Sequence, residues 1–152
     1  MQIVPYKKEF RKDFEALNLA WLKRFYWIEP CDRDQIENVE KLIEGGGMVF
    51  FAVEEGEVLA TCMTIPLPDG SWELCKFAAK GQYTGTGAGT AVFKACMDYA
   101  LGKGAVKLVL VSCSGLKHAL GIYRKLGFKE VPLEKERWGA EKADMQMEYR
   151  TN

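Results

Sequence analysis

The sequence lacks an excess of charge of either sign. Its 152 residues include 21 Lys and Arg and 21 Asp and Glu, and the two signs are spread along the chain. Non-specific binding to nucleic acid or to an anionic membrane surface needs a surplus of basic residues. We therefore expect neither partner, and small molecules are the favoured ligands.

Paired cysteines and long apolar runs are also missing. The cysteine count is odd, with no C-x-x-C pair and no zinc-ligand spacing, at Cys31, Cys62, Cys75, Cys96 and Cys113. No apolar run approaches the ~18 residues of a membrane span, and residues 1–9 lack a cationic segment followed by an apolar core. We expect a soluble cytoplasmic protein without a metal ion, folded as a single domain over residues 1–152.

Hydrophobic periodicity predicts antiparallel strands first and a β-α-β-α unit afterwards, which indicates an α/β fold with a mixed sheet. Strands are expected at 2–6, 48–53, 58–65, 72–79, 106–112, 129–132 and 144–150. Helices are expected from near Lys8 to Trp21, from an Asp32 N-cap to Ile43, and over 90–101 and 114–126. Gly127 is expected to end the last helix at its C′ position.

The most informative segment is a glycine-rich turn at residues 84–89, T-G-T-G-A-G, between a predicted strand and a predicted helix. Such a turn directs free backbone N–H groups at a phosphate. A dinucleotide-binding turn would read G-x-G-x-x-G with an acidic residue roughly 20 positions later, and a P-loop would contain G-K-[ST]. Neither pattern is present, so the turn predicts a different kind of pyrophosphate site.

Two blocks resemble the GNAT superfamily of acyl-CoA-dependent N-acyltransferases. Residues 73–93, E-L-C-K-F-A-A-K-G-Q-Y-T-G-T-G-A-G-T-A-V-F, resemble its central motif, and residues 119–128, A-L-G-I-Y-R-K-L-G-F, resemble its second motif. The resemblance implies a mixed, mostly antiparallel sheet with helices on both faces. It also implies a V-shaped splay, opened by a bulge, between the two parallel central strands.

The resemblance further implies acetyl-CoA as the co-substrate. The strand before the turn would pair with the pantetheine arm, and the turn amides would hold the pyrophosphate. In the register that we prefer, Thr84 stands where the family has Arg or Gln, although Gln82 fits the formal pattern two residues earlier. The asparagine that many relatives carry after the following strand is missing, and Cys113, Ser114 and Leu116 occupy that neighbourhood. The cofactor residues implied are Phe77, Ala78, Ala79, Thr84, Gly85, Thr86, Gly87, Ala88, Gly89, Thr90 and Ser114.

The same resemblance assigns two catalytic residues. Glu73 would be the base for the attacking amine, and the alternative is an exposed strand carboxylate. Tyr123 would protonate the departing thiolate, and the alternative is a core tyrosine on an apolar helix face. His118 lies one position off that face, so we expect it to face solvent, and the cysteines are expected to act as small hydrophobes.

The acceptor amine is not specified by the sequence. The aromatic segment 21–30 lies where the family builds the acceptor side, and Glu29 and Asp32 would either attract a cationic amine or serve as turn and cap residues. In the second case Phe25 and Trp27 would be core residues. Trp138 would form a wall or an oligomer contact, and the family resemblance makes a homodimer one expectation.

Three functions are therefore considered. The first is an N-acetyltransferase that joins acetyl-CoA and the amine of a small molecule, peptide or protein in a ternary complex. The second is a catalytically inactive CoA-binding or regulatory module of the same fold. The third, a nicotinamide oxidoreductase, is disfavoured by the glycine spacing and by the missing acidic residue.

Overall fold

Seven strands form one sheet in the order β1-β2-β3-β4-β5-β7-β6. The structure is a computed structural model that describes residues 1–25, 27–81, 85–138 and 142–151. The strands are β1 (Gln2–Pro5), β2 (Met48–Glu54), β3 (Glu57–Pro66), β4 (Ser71–Ala79), β5 (Lys107–Ser112), β6 (Lys129–Val131) and β7 (Met145–Arg150). All neighbouring pairs are antiparallel except β4 and β5, which run parallel, so the predicted mixed α/β sheet is confirmed.

Helices cover both faces of this sheet. They are α1 (Arg11–Phe25), α2 (Pro30–Glu37), α3 (Val39–Glu44), α4 (Ala88–Gly102) and α5 (Lys117–Lys125), with a short 3-10 turn at Lys8–Phe10 before α1. Apolar side chains of α1, α2 and α3, such as Phe14 and Val39, form one buried cluster with the sheet. Side chains of α4 and α5, such as Phe93 and Leu120, form the other. The core therefore consists of two layers that share one sheet.

Local sequence explains two of the chain reversals. Between β2 and β3, Glu55 and Gly56 have φ of 50° and 79°, the pair of positive values that a type I′ hairpin requires. After α5, Gly127 has φ of 101°, and the Phe128 amide donates to the carbonyl of Tyr123 at 3.0 Å. This is the Schellman arrangement that the sequence predicts at Gly127.

The central parallel strands separate at Glu73. β4 and β5 are paired from Ser71 to Glu73, and within the residues described no later residue of β4 pairs with β5. On the other edge of β4 a bulge sets Lys76 and Phe77 against the single residue Cys62, with Lys76 at φ of 49°. A bulge bends its strand, and the resulting splay opens a cleft between β4 and β5. The predicted V-shaped splay is confirmed.

Three predicted helix starts were wrong. α2 begins at Pro30 with Glu29 as its N-cap, because the carboxylate of Asp32 at the third helical position accepts a hydrogen bond from the Glu29 amide and completes a capping box. α4 begins at Ala88, two residues early, after Gly87 turns the chain at φ of 92°. α5 begins at Lys117, because hydrogen bonds to Asp144 hold the preceding segment in a turn. The predicted helix from Asp32 to Ile43 is also broken, at Asn38 between α2 and α3.

Candidate functional site

Two adjoining cavities lie at the splay. The first, called here the Glu73 cavity, has a volume of about 370 Å³, and the second, the glycine-turn cavity, about 480 Å³. Residues that line the Glu73 cavity include Asn18, Trp21, Leu22, Asp32, Glu73, Lys76, Phe77, Leu110, Ser112, Tyr123, Arg137, Trp138 and Lys142. The glycine-turn cavity is lined by Trp21, Phe77, Ala79, Gly85, Gly87, Gly89, Thr90, Lys117, His118, Ala119, Gly121, Ile122 and Lys125. Three side chains line both, so the cavities are neighbours.

Glu73 stands at the point where β4 leaves β5. Its side chain is only 8% exposed, and its carboxylate forms no hydrogen bond or ion pair with any residue that the structure describes. Burial raises the pKa of Glu73 to about 7, and the positive charges of Lys76 and Arg137 offset part of that effect. An exposed strand carboxylate, the alternative considered from the sequence, is therefore wrong.

Tyr123 reaches the same cavity from α5. Its ring is buried against Phe93, with centroids 4.9 Å apart, and lies 6.0 Å from the ring of Phe77. Tyr123 is therefore both a core residue and a cavity residue, since it also lines the Glu73 cavity. The two assignments made from the sequence do not exclude each other.

The start of α4 presents unbonded amides to the glycine-turn cavity. The first backbone hydrogen bond of the helix runs from the Ala91 amide to the carbonyl of Gly87, and the Ala88 amide donates to Oγ1 of Thr86 at 3.4 Å. Within the described part of the chain, the amides of Gly89 and Thr90 have no hydrogen-bond acceptor. A Cβ built on Gly85 or Gly87 would meet no atom within 4 Å, so both glycines border open space. Such a helix start is suited to binding an anion.

The charges around this cavity have one sign. Lys117 and Lys125 line it together with His118, which is exposed as predicted, and no carboxylate is among the described lining residues. The two lysine charges and the positive end of α4 act in the same direction. The cavity is thus suited electrostatically to a polyanion.

The structure brings most of the predicted site residues together at the two cavities. Four of them, Ala78, Thr86, Ala88 and Ser114, do not line either cavity. Thr84 lies outside the described residues. The side chains of Ala78 and Ala88 are buried, and Thr86 does not line either cavity. Ser114 does not line either cavity, and its amide and hydroxyl donate to Asp144 at 2.7 and 2.6 Å, so its assignment to the cofactor stays a prediction.

A buried network of charged side chains beside Glu73 was missed by the sequence reasoning. Lys76 contacts Asp32 Oδ1 through Nζ at 2.7 Å, and Lys142 Nζ contacts Asp32 Oδ2 at 2.5 Å. The Lys142 amide also donates to Glu29 Oε1 at 3.0 Å. Glu29 and Asp32 are therefore cap residues held by lysines. The expectation that Phe25 and Trp27 would then be core residues was wrong, since they are 39% and 55% exposed.

Cysteine chemistry and metal chemistry have little support in the described residues. No disulfide joins the five cysteines, and burial raises the pKa of Cys31, Cys62 and Cys75, which keeps them protonated. The part of the chain that is described contains no group of three or more His, Cys, Asp or Glu residues suited to a metal ion. None of its helices is both long and apolar enough to cross a bilayer.

A mixed sheet splayed between two parallel strands, with a glycine-rich turn opening a helix beside the splay, is the architecture of acyl-CoA-dependent acetyltransferases. Residues 8–128 match the acetyltransferase (GNAT) family, and the chain belongs to that family. The family chemistry is acyl-CoA-dependent acetyl transfer.

Individual relatives are distant in sequence. The uncharacterized N-acetyltransferase YobR of Bacillus subtilis (strain 168) is 24% identical over 114 residues, which are 74% of this chain and 46% of that protein. The chain thus spans about half the length of this relative. An acetyltransferase of the GNAT family from Staphylococcus aureus Mu50 has a TM-score of 0.88 at 17% identity, with 98% of both chains covered. An aminoglycoside 6'-N-acetyltransferase complexed with coenzyme A has a TM-score of 0.74 at 18% identity, with 99% of this chain and 97% of that chain covered. These two likenesses concern the fold alone.

Proposed function

We propose that the protein is an N-acetyltransferase that transfers the acetyl group of acetyl-CoA to an amine by direct attack in a ternary complex. The observation that carries the proposal is the juxtaposition of the two cavities. One offers unbonded amides and positive charge, and the other contains a buried carboxyl and a tyrosine. The proposal treats residues 1–152 as one domain, since both hydrophobic clusters share the same sheet.

The glycine-turn cavity fits the pyrophosphate of acetyl-CoA. The amides of Gly89 and Thr90 would donate to its oxygens, and Lys117 and Lys125 would add positive charge. Gly89 also needs to lack a side chain, because a Cβ there would lie 3.1 Å from Cζ of Phe77. The backbone of β4 at Phe77–Ala79, on the side where β5 has separated, is available to the pantetheine arm.

Glu73 would accept the proton of the attacking amine. A primary amine with a pKa of ~10.4 is mostly protonated at pH 7, and exposing its lone pair costs about 4.6 kcal/mol. A carboxylate with a pKa of about 7 is a stronger base than an ordinary glutamate and is still ionised in half of the molecules at neutral pH. Its carboxylate has no hydrogen-bond or ion-pair partner among the described residues, which supports this role.

Tyr123 would donate its hydroxyl proton to the departing thiolate. Acetyl-CoA supplies an activated thioester carbonyl, and a thiolate whose conjugate acid has a pKa of ~8.5 leaves more easily when it is protonated. The aromatic contacts of Tyr123 with Phe93 and Phe77 hold the ring in place beside both cavities. Five cysteines that form no disulfide with one another favour a reducing compartment, so we place this activity in the cytoplasm.

The test combines binding and turnover. Calorimetry is carried out with CoA, acetyl-CoA and NAD, and thiol release is then measured with a panel of primary amines. We expect binding of CoA and acetyl-CoA, no binding of NAD, and amine-dependent thiol release. CoA binding without release across the panel would instead identify a catalytically inactive CoA-binding module. Lack of CoA binding would refute the proposal.

A further inference from the structure

Lys76 has hydrogen-bonding capacity that no other described residue uses. Its side chain is only 10% exposed, and its ammonium contacts Asp32 Oδ1 at 2.7 Å. An ammonium carries three donors, and within the described residues this contact is the only one that Lys76 makes. Two buried donors are therefore left for a group that enters the Glu73 cavity, which Lys76 lines.

The other charged groups beside Lys76 are already paired. Asp32 receives Lys76 on one carboxylate oxygen, and Lys142 and the Glu29 amide on the other. Lys142 Nζ also contacts the Trp27 carbonyl at 3.0 Å and Glu29 Oε1 at 3.6 Å. Asp32 is therefore fully occupied by two lysines and has little capacity for a third cation.

Arg137, the third cation of this cavity, is also engaged. Its guanidinium pairs with Asp69 at 3.1 Å and with Glu134 at 3.3 Å, and it donates to the hydroxyl of Ser71. Asp32 and Glu73 are the only carboxylates among the described lining residues, and Glu73 alone has no ion-pair partner. The cavity thus offers one place for an ammonium and one place for an anion.

We propose that the acceptor is a small amine that carries a carboxylate, with its carboxylate bound by Lys76 and its amine facing Glu73. This inference rests on the proposed function. Glu73 and Lys76 lie on the same strand, β4, beside its bulge. The positive charge of Lys76 offsets part of the rise in the pKa of Glu73. Trp21, Leu22 and Trp138 form apolar parts of the cavity wall, which suits an amino acid with an apolar side chain.

A polyamine or an aminoglycoside fits less well. Either would bring additional ammonium groups close to Lys76, and no unpaired carboxylate among the described lining residues is left to receive them. Like charges in a partly buried site repel strongly, because the surrounding dielectric is low. The cavity therefore selects for a carboxylate and against a second amine.

Matched acceptors provide the experiment. Phenylalanine, phenylalaninamide and phenethylamine have the same apolar body and one amine, and spermidine serves as the polycation. The rate of thiol release is measured for each at one pH as kcat/KM, expressed per deprotonated amine. Binding of each amine to the protein saturated with CoA is measured by calorimetry. We expect phenylalanine to exceed its amide about 10- to 100-fold in both measurements, the range of one charge-assisted pair.

Two substitutions test whether Lys76 causes the preference for an acceptor that carries a carboxylate. Lys76→Met keeps the length of the side chain and is expected to lower the ratio of kcat/KM for phenylalanine to kcat/KM for phenylalaninamide to about one. Lys80→Met is the matched control, because Lys80 follows the same strand, pairs with Glu57 on the surface and lines neither cavity. If Lys76→Met does not fold, Lys76→Arg retains the charge and should retain the preference.

The outcomes separate this inference from the proposed function. Equal or better use of the amide by the wild-type protein would overturn the inference and leave acetyl transfer intact. Tighter binding of spermidine than of phenylalanine would overturn it as well, and so would the absence of binding by any amino carboxylate. Absence of CoA binding would refute the proposed function, whereas calorimetry of each amine with the protein alone would still test the role of Lys76.

Discussion

At the scale of single residues, Glu73 links catalysis to pH. Its pKa of about 7 arises from burial at the splay, and only the ionised form can accept a proton. We predict that kcat/KM for an amine rises with pH through an apparent pKa near 7. In Glu73→Gln this rise should disappear, and the rate should fall by about 10²- to 10⁴-fold. A pH profile of single-turnover acetylation measures both effects, and a variant that keeps the wild-type profile would remove Glu73 from the mechanism.

The same substitution should stabilise the fold at alkaline pH. The folded protein holds the Glu73 proton more tightly than the unfolded chain does, because the pKa is raised from 4.5 to about 7. Stability therefore falls as the pH rises from 4.5 to 7, by about 3 kcal/mol in total at about 1.36 kcal/mol per pKa unit. Glutamine does not titrate, so the free energy of unfolding of the variant, measured with urea, should rise relative to that of the wild type between pH 5 and pH 8. An unchanged difference between these pH values would contradict the buried, unpaired state of the carboxyl.

Tyr123 offers a test of proton donation that leaves binding untouched. Tyr123→Phe removes the hydroxyl and keeps the ring that contacts Phe93 and Phe77. We predict that kcat falls about 10- to 100-fold, since a thiolate is a fair leaving group even without protonation. The dissociation constant of acetyl-CoA, measured by calorimetry, should change less than about twofold. A fall in affinity without a fall in kcat would assign Tyr123 to binding instead.

At the scale of elements, the start of α4 is the part that can be tested by a matched pair of glycines. Gly87 and Gly104 both have φ of +92°, and a Cβ on either would meet no atom within 4 Å. Gly87→Glu and Gly104→Glu therefore share the same backbone strain, on the order of 1–2 kcal/mol, and the same change in charge. Only the first lies at the glycine-turn cavity.

We predict that Gly87→Glu weakens CoA binding by at least about 100-fold, since an anion beside the amides of Gly89 and Thr90 competes with a pyrophosphate and repels it. Gly104→Glu should bind CoA like the wild type. Calorimetry gives the affinities, and circular dichroism verifies that both variants fold. Equal CoA affinities of the two variants would show that the glycine-rich turn does not bind the cofactor.

The elements also show which parts of the fold could be predicted from the sequence. The hairpin turn at Glu55 and Gly56 and the end of α5 at Gly127 were predictable, because a few adjacent residues determine their backbone angles. The start of α5 was not, since it depends on hydrogen bonds from Ser114 to Asp144, 30 residues away. Local turn chemistry is readable in one sequence, whereas helix boundaries set by distant side chains are not.

The candidate site divides in the same way. The amides at the start of α4 are a backbone feature, so a glycine pattern was enough to predict them. The network around Asp32 joins residues that are separated by 44 positions from Lys76 and by 110 positions from Lys142. No local spacing indicates such pairs, and Asp32 had the ordinary features of a helix cap. The charged lining of the Glu73 cavity could therefore be identified only from the folded structure.

At the scale of the whole molecule, this network joins three parts of the fold. Asp32 belongs to α2, Lys76 to the bulge of β4, and Lys142 to the segment before β7. Burial alone would raise the pKa of Asp32, but Lys76 and Lys142 outweigh that effect and lower the pKa below 3.8. The ion pairs should therefore stabilise the fold at every pH above about 4, and this stabilisation should be lost as the pH falls further.

We predict that Asp32→Ala destabilises the protein by about 3–5 kcal/mol at pH 7, because two buried ammonium groups lose a shared partner. Asp34→Ala is the matched control, since it removes an exposed aspartate from the same helix and should cost less than about 0.5 kcal/mol. Urea unfolding at pH 7 and pH 3 gives both differences, and the effect of Asp32→Ala should shrink at the lower pH.

Because the network borders the Glu73 cavity, Asp32→Ala should also weaken binding of the acceptor more than binding of CoA. The two cavities share the side chains of Trp21, Phe77 and Ala119. If Asp32→Ala lost CoA binding at a pH where it is still folded, the network, and not these shared side chains, would couple the two cavities.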